Sequence, residues 1–117
     1  MALPIVPRAR ALKDVDRAIS FYLSEAGEDV TITFIDAVER AYKHIAAYPA
    51  SGSLRYSHEM DLPGLRNWLI KPFPYIVFYV EQHDRIDIWR VLHAERDIPK
   101  WLQDPAVAKR KTRRRTK

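Results

Sequence analysis

At 117 residues the chain has room for one domain and one hydrophobic core, and a 47% hydrophobic content is that of a folded protein and excludes disorder of the whole. There is no cysteine, which excludes a disulfide framework and any thiolate metal site and suits a reducing cytoplasm, the expected location. The net charge of +5 sits at one end: Lys109 to Lys117 holds seven basic residues and no acid, and removing those seven leaves residues 1–108 at −2, which is not the broad basic face of a general nucleic-acid binder.

Residues 1–20 contain Pro4, Pro7, Asp14 and Asp16 and no long apolar run, so no secretory signal is expected. Nowhere does the chain approach the ~20 apolar residues of a membrane span. Leu3 to Val6 is short and apolar, and Pro4 cannot donate to a ladder, so this piece reads as an edge strand. Leu12, Val15, Ile19, Tyr22 and Leu23 then recur at helical spacing, with Lys13, Asp14, Asp16 and Arg17 on the other face. Gly27 stops that helix near Ala26.

The next segment carries two periods at once. Val30, Ile32 and Phe34 alternate like a strand, whereas Val30, Phe34, Val38, Ala41 and Ile45 follow a helical rhythm that lasts to Tyr48. The longer pattern predicts a helix, ended by Pro49 and Gly52, and the two helices form a hairpin about Gly27. Ala50 to Asp61 is polar and reads as a loop, with a brief extended piece near Leu54 to Tyr56. After the Leu62-Pro63-Gly64 turn come three strands: Arg66 to Lys71, Tyr75 to Glu81 and Ile86 to His93. Asp97 followed by Pro99 starts a last short helix that reaches about Gln103. The order β-α-α-β-β-β-α predicts an α+β fold in which a helical hairpin packs on a twisted, mainly antiparallel sheet. Residues 1–104 form the domain, and 105–117 a basic tail without apolar periodicity.

The common catalytic signatures are missing. The three glycines are too dispersed for a phosphate loop, and His44, His58, His83 and His93 lack metal-ligand spacing. No serine sits in a nucleophile elbow. No metal or cofactor is therefore expected.

The Pro63-Gly64-Leu65-Arg66 turn, the aromatic strand Tyr75-Ile76-Val77-Phe78-Tyr79, the run Arg90-Val91-Leu92-His93 and the closing Arg96-Asp97 follow two helices. This combination resembles the ParE branch of the RelE/ParE toxin superfamily over about residues 3–104. The resemblance implies a small bacterial toxin of a type II toxin–antitoxin system, neutralised by a cognate antitoxin, that inhibits DNA gyrase by binding and breaks no bond itself. The RelE branch implies an alternative: a metal-free endonuclease that cuts messenger RNA at the ribosome, in which Lys71, His93 and Arg96 would act as base, cation or acid. Two departures count against it. Ile76 stands in a strand core where the RelE pattern often has a basic residue, and no tyrosine follows Arg96. A third alternative is a member that binds antitoxin and has no toxic activity.

On the preferred reading Arg66, Arg90, Arg96 and Trp101 are candidate contacts for target or antitoxin. Each also has a structural reading. Arg66 could pair with Asp97 or Glu95, Arg90 could lie on a solvated strand face, and His93 could cap the turn after its strand. Arg96-Asp97 could be a helix cap with an ion pair. Trp68, Trp89 and Trp101 read as core or partner-contact residues. An antitoxin segment that folds on binding needs an apolar groove, and the cleft between the helical hairpin and the sheet edge is the expected host. The tail could attract DNA or an acidic antitoxin, or only aid solubility.

Overall fold

The computed structural model describes residues 2–95 and 98–102, the side chain of Trp101 excepted. The sequence expectations for Arg96, for the Asp97 cap and its ion pair, for the Trp101 side chain, for the helix end at Gln103 and for the tail lie outside the described residues.

Strand β1 (Ile5–Pro7) leads into helices α1 (Ala9–Glu25) and α2 (Glu28–Ala47). A 3-10 turn over Pro49–Ser51 and a short helix α3 (Arg55–Met60) precede strands β2 (Leu65–Leu69), β3 (Tyr75–Glu81) and β4 (Ile86–His93), and α4 (Ile98–Leu102) follows. The sheet order is β1-β4-β3-β2, with β1 parallel to β4 and the other pairs antiparallel. The α+β plan expected from the sequence is thus the observed one, and β1 is an edge strand. No helix among the described residues is long and apolar enough to cross a membrane.

Gly27 makes the hairpin. Its φ of 88° lies in the region that only glycine adopts without strain, and its N–H is bonded to the Tyr22 carbonyl. Glu28 and Asp29 then place negative charge in the first turn of α2, where the helix dipole favours it. Helix wins over strand at the start of α2 because the buried positions, Thr31, Phe34, Ala37, Val38, Ala41 and Ile45, step at helical spacing. Ile32, which the strand reading would bury with Phe34, is 56% exposed.

The two helices cover one face of the sheet. Ala11 and Ala18 of α1, with Phe34, Val38 and Ile45 of α2, pack on Val77, Tyr79, Ile88 and Val91. The opposite face holds a second cluster, in which Met60 of α3 and Ile98 and Leu102 of α4 meet Leu65, Phe78 and Leu92. Central strands are therefore buried on both sides, which is why Tyr75–Glu81 reads as a nearly continuous apolar run. At Phe78/Tyr79 the register shifts: Phe78 opposes Arg90 and Tyr79 opposes Ile88, which leaves Trp89 as the extra residue of a β-bulge.

Three expectations are corrected. Leu12 and Leu23 are 54% and 52% exposed, whereas Asp14, assigned to the polar face of α1, is buried. Small alanines let α1 approach the sheet closely, and its contact line runs through Ala11, Asp14 and Ala18. The segment after α2 is not a simple loop. Ser53 makes the extended contact, as an isolated bridge to Asn67, and Arg55–Met60 is helical because Tyr56 and Met60 pack under the sheet. Arg90 does not face solvent: it is buried against Asp14.

Candidate partner-binding site

Two clefts open beside the helical hairpin. One lies between α2 and the end of edge strand β2 and has a volume of about 460 Å³. Its α2 wall combines Ala37 and Ala41, which leave room, with Arg40 and His44 one turn apart. Trp68 and Lys71 form the facing wall. The His44 and Trp68 rings are stacked, with centroids 4.1 Å apart and an 18° interplanar angle. His44 is held from behind. The Ser51 hydroxyl donates to the Tyr48 carbonyl at 2.7 Å, so its oxygen is left to accept from His44 Nε2–H at 3.1 Å. Arg40 and Lys71 take no part in an ion pair or hydrogen bond among the described residues. Among the described residues, none that lines the cleft is acidic. The cleft is an apolar slot with unneutralised positive charge at its mouth.

The second cleft, about 400 Å³, lies between α1 and the C-terminal end of β4. Arg17 and Phe21 line one side, Tyr75 and His93 the other, and Glu95 the rim. His93 does cap the turn after its strand: its Nδ1 accepts the Glu95 N–H at 3.1 Å. In the neutral ring the proton then sits on Nε2 and the lone pair is already engaged. As placed, His93 is a poor general base, because the nitrogen with the lone pair faces a backbone amide.

Lys71 and His93 are at the same end of the sheet but in different clefts. Between the helices and β3 stands a ring cluster. Tyr22 meets Phe34 at 5.0 Å and Phe73 at 5.3 Å, and Phe34 meets Tyr75 at 5.4 Å. Burial in this cluster pushes the Tyr22 hydroxyl up from its ordinary pKa, with the neighbouring Tyr75 adding to the effect. Lys71 and His93 thus line separate clefts.

Two of the arginines named from the sequence, Arg66 and Arg90, have structural partners. Among the described residues Arg66 pairs with no carboxylate, Glu95 included, and Asp97 lies outside them. Its Nη1 donates to the carbonyls of Ala50 (3.1 Å) and Gly52 (2.8 Å) and so ties the segment after α2 to β2. Arg90 donates through Nε and Nη2 to both oxygens of Asp14, at 2.7 and 2.8 Å. That buried pairing leaves little of the guanidinium for a partner. Arg96 and the Trp101 side chain lie outside the described residues. The sequence reading missed Arg40 and His44. Their one signal was the Ala37/Ala41 pair beside them, two small residues one turn apart on α2.

A model of a family described as "ParE toxin of type II toxin-antitoxin system, parDE" matches residues 5–98. Among solved structures, the chain is similar to one described as "Chromosomal ParDE TA system from P. aeruginosa", with a TM-score of 0.67 and 17% identity, over 80% of this chain and 98% of that one. At that identity the likeness speaks for the fold. No curated protein matches the chain.

Proposed function

The chain belongs to the ParE toxin family of type II toxin–antitoxin systems, and from that membership we propose that it inhibits DNA gyrase by binding, without breaking a bond, until a cognate antitoxin neutralises it. The observation that carries the binding reading is the separation of Lys71 from His93 in two clefts. Cleavage of RNA without a metal needs a base, an acid and a cation around one phosphate. Here the lysine opens onto the α2–β2 slot, and the histidine's lone pair is held by the Glu95 amide.

The antitoxin's place is the α2–β2 cleft. It is the groove between hairpin and sheet edge that an amphipathic segment requires, with Ala37, Ala41 and Trp68 to take apolar side chains. Arg40 and Lys71 favour a segment that carries carboxylates. An acidic helix or strand that covers this slot would bury the Trp68–His44 stack and satisfy both cations.

The reading is tested by adding the purified chain to gyrase and relaxed plasmid, and separately to a translating extract. Supercoiling should be lost while transcripts stay intact. Cleaved transcripts with normal supercoiling would support the nuclease alternative, and neither effect would support a silent member that binds antitoxin alone.

A further inference from the structure

The two helices of the hairpin leave a groove between them on the side turned away from the sheet. Along α1, Leu12, Asp16, Ile19 and Leu23 step by four, three and four residues, and along α2, Glu28, Ile32, Ile35 and Glu39 step the same way, so each set is one row on its helix. The positions packed on the sheet are others: Ala11 and Ala18 on α1, and Phe34, Val38 and Ile45 on α2. Counted from Gly27, the rows match. Leu23 and Ile32 stand four and five residues away, Ile19 and Ile35 eight on each side, and Asp16 and Glu39 eleven and twelve. A helical hairpin sets such positions side by side, so the groove carries two apolar rungs and then an acidic one, about 6 Å apart, with Glu28 at the bend. Leu23 and Ile32 are 52% and 56% exposed, and Ile19 and Ile35 are half-buried. A solvent-facing helix surface is ordinarily polar, yet here two exposed aliphatic side chains share one rung.

The charge around the groove has one sign. Residues 16–39 hold six exposed carboxylates, those of Asp16, Glu25, Glu28, Asp29, Asp36 and Glu39, and one cation, Arg17, which lines the α1–β4 cleft instead. The carboxylates of Asp16, Glu28 and Glu39 enter no ion pair or hydrogen bond among the described residues. Lys13 and Lys43 lie beyond the acidic rung, toward the open end of the hairpin, and among the described residues pair with neither of its members. We propose that this outer groove docks a cationic amphipathic helix of a partner protein. Two apolar side chains, one turn apart on that helix, sit on the Leu23–Ile32 and Ile19–Ile35 rungs, and a lysine or arginine a turn beyond each meets Glu28 at one end and Asp16 and Glu39 at the other. Other occupants match less of the groove. A second copy would set carboxylates against carboxylates, and an anionic membrane would be repelled by them. The tail Lys109 to Lys117 has the charge but no apolar side chain for the rungs. An acidic segment of the kind that suits Arg40 and Lys71 has the wrong sign here, so the two grooves select different partner segments.

The test is a titration of the isotopically labelled full chain, followed by amide NMR shifts, with a sixteen-residue alanine-based helical peptide that carries lysine, leucine, leucine and lysine on one face, a turn apart. Saturable binding should shift the amides of Leu23 and Ile32 and leave those of Trp68 and Lys71, in the α2–β2 cleft, in place. Leu23→Ser/Ile32→Ser removes the outermost apolar rung and should weaken binding about tenfold. Asp16→Asn/Glu39→Gln removes the acidic rung and should weaken it about tenfold at low salt, with the difference from the parent shrinking as salt screens the charges. All four positions are exposed, so circular dichroism melts within a few degrees of the parent establish that the fold is intact. Absence of saturable shifts at Leu23 and Ile32 overturns the proposal, as does equal affinity of both variants and the parent. A peptide with glutamate for lysine that binds as tightly overturns the choice of a cationic partner, and one with glutamine for leucine that does so reduces the groove to a charged surface. Concentration-dependent shifts at the same amides without peptide assign the groove to a second copy and overturn it as well.

Discussion

Asp14 and Arg90, 76 positions apart in the chain, form a two-pronged ion pair between α1 and β4, and Asp14 Oδ2 also accepts the Val91 N–H at 3.0 Å. The second bond explains the location. β1 covers the outer edge of β4 only as far as Ile88, and beyond that point the Asp14 carboxylate takes the place of a neighbouring strand. Asp14→Ala leaves a buried guanidinium and a buried N–H without their acceptor, and should cost about 3–5 kcal/mol in urea unfolding. Asp14→Leu with Arg90→Met removes both charges and should recover the guanidinium's share of that loss, leaving about 1–3 kcal/mol for the unpaired Val91 N–H. A double variant as unstable as Asp14→Ala would show that the charges themselves are required.

Tyr79 and Gly52 are a second linked pair. The Tyr79 hydroxyl donates to the Pro49 carbonyl at 2.7 Å and accepts the Gly52 N–H at 3.1 Å. A methyl group at position 52 would run into that hydroxyl and come within 3.0 Å of Arg66 Cβ. Gly52→Ala should therefore cost about 2 kcal/mol, as overpacking of a tight site does, and Tyr79→Phe about 1 kcal/mol for the lost bonds. The double variant removes the closest clash, with the hydroxyl, and keeps the ring Cε1 and Arg66 Cβ at 3.0 Å, so its loss should be smaller than the sum of the two single losses. Strict additivity in a double-mutant cycle would contradict the contact.

Tyr42 contributes to the alkaline limit of stability, beside Tyr22 and Tyr79, whose hydroxyls burial also pushes up. Burial, and then the negative charge of Asp14, push its hydroxyl up from 10.0 to about 12. The neutral form is thus favoured in the folded state, and its contribution is fully present below pH 10. Between pH 10 and 12 the unfolded chain loses the proton that the folded chain keeps, so stability falls by up to about 1.4 kcal/mol per pH unit from this group and levels off above 12. Thermal melts of the parent and Tyr42→Phe across that range should diverge, with the variant less sensitive to pH. Parallel curves would remove Tyr42 from the account.

Charge reversal in the α2–β2 cleft should separate antitoxin binding from folding. Arg40→Glu/Lys71→Glu places two carboxylates where an acidic segment is to sit, and both positions are exposed. The thermal midpoint should stay within a few degrees, as is usual for exposed substitutions, while calorimetric affinity for the cognate antitoxin drops about a hundredfold. Unchanged affinity would move the antitoxin elsewhere on the toxin.

The sequence conveyed the fold better than the site, and particular residues show why. The aromatic and β-branched run of Tyr75–Glu81 is buried on both faces, so its composition alone marks a strand. In α2 the helical period outlasts the strand-like start, and burial follows the longer pattern. Helix α3 was invisible because its six residues, RYSHEM, are too few to show a period. Their helicity comes from packing Tyr56 and Met60 under the sheet. Asp14 and Arg90 both read as surface charges, since each hides its charge only against the other, across 76 residues. The candidate clefts have the same origin. Arg40 and His44 gain meaning from Trp68, which the sheet brings to α2, and Lys71 and His93, grouped by residue type in the sequence, line different clefts once folded.

The central claim is inhibition by binding, and its most direct measure is the concentration of toxin that halves gyrase supercoiling, compared between the parent and Lys71→Ala/His93→Ala, with messenger RNA integrity followed in a translating extract. The account predicts equal half-inhibitory concentrations for the two proteins and intact message with both. Cleaved message with the parent, abolished in the folded double variant while supercoiling is never affected, would contradict it.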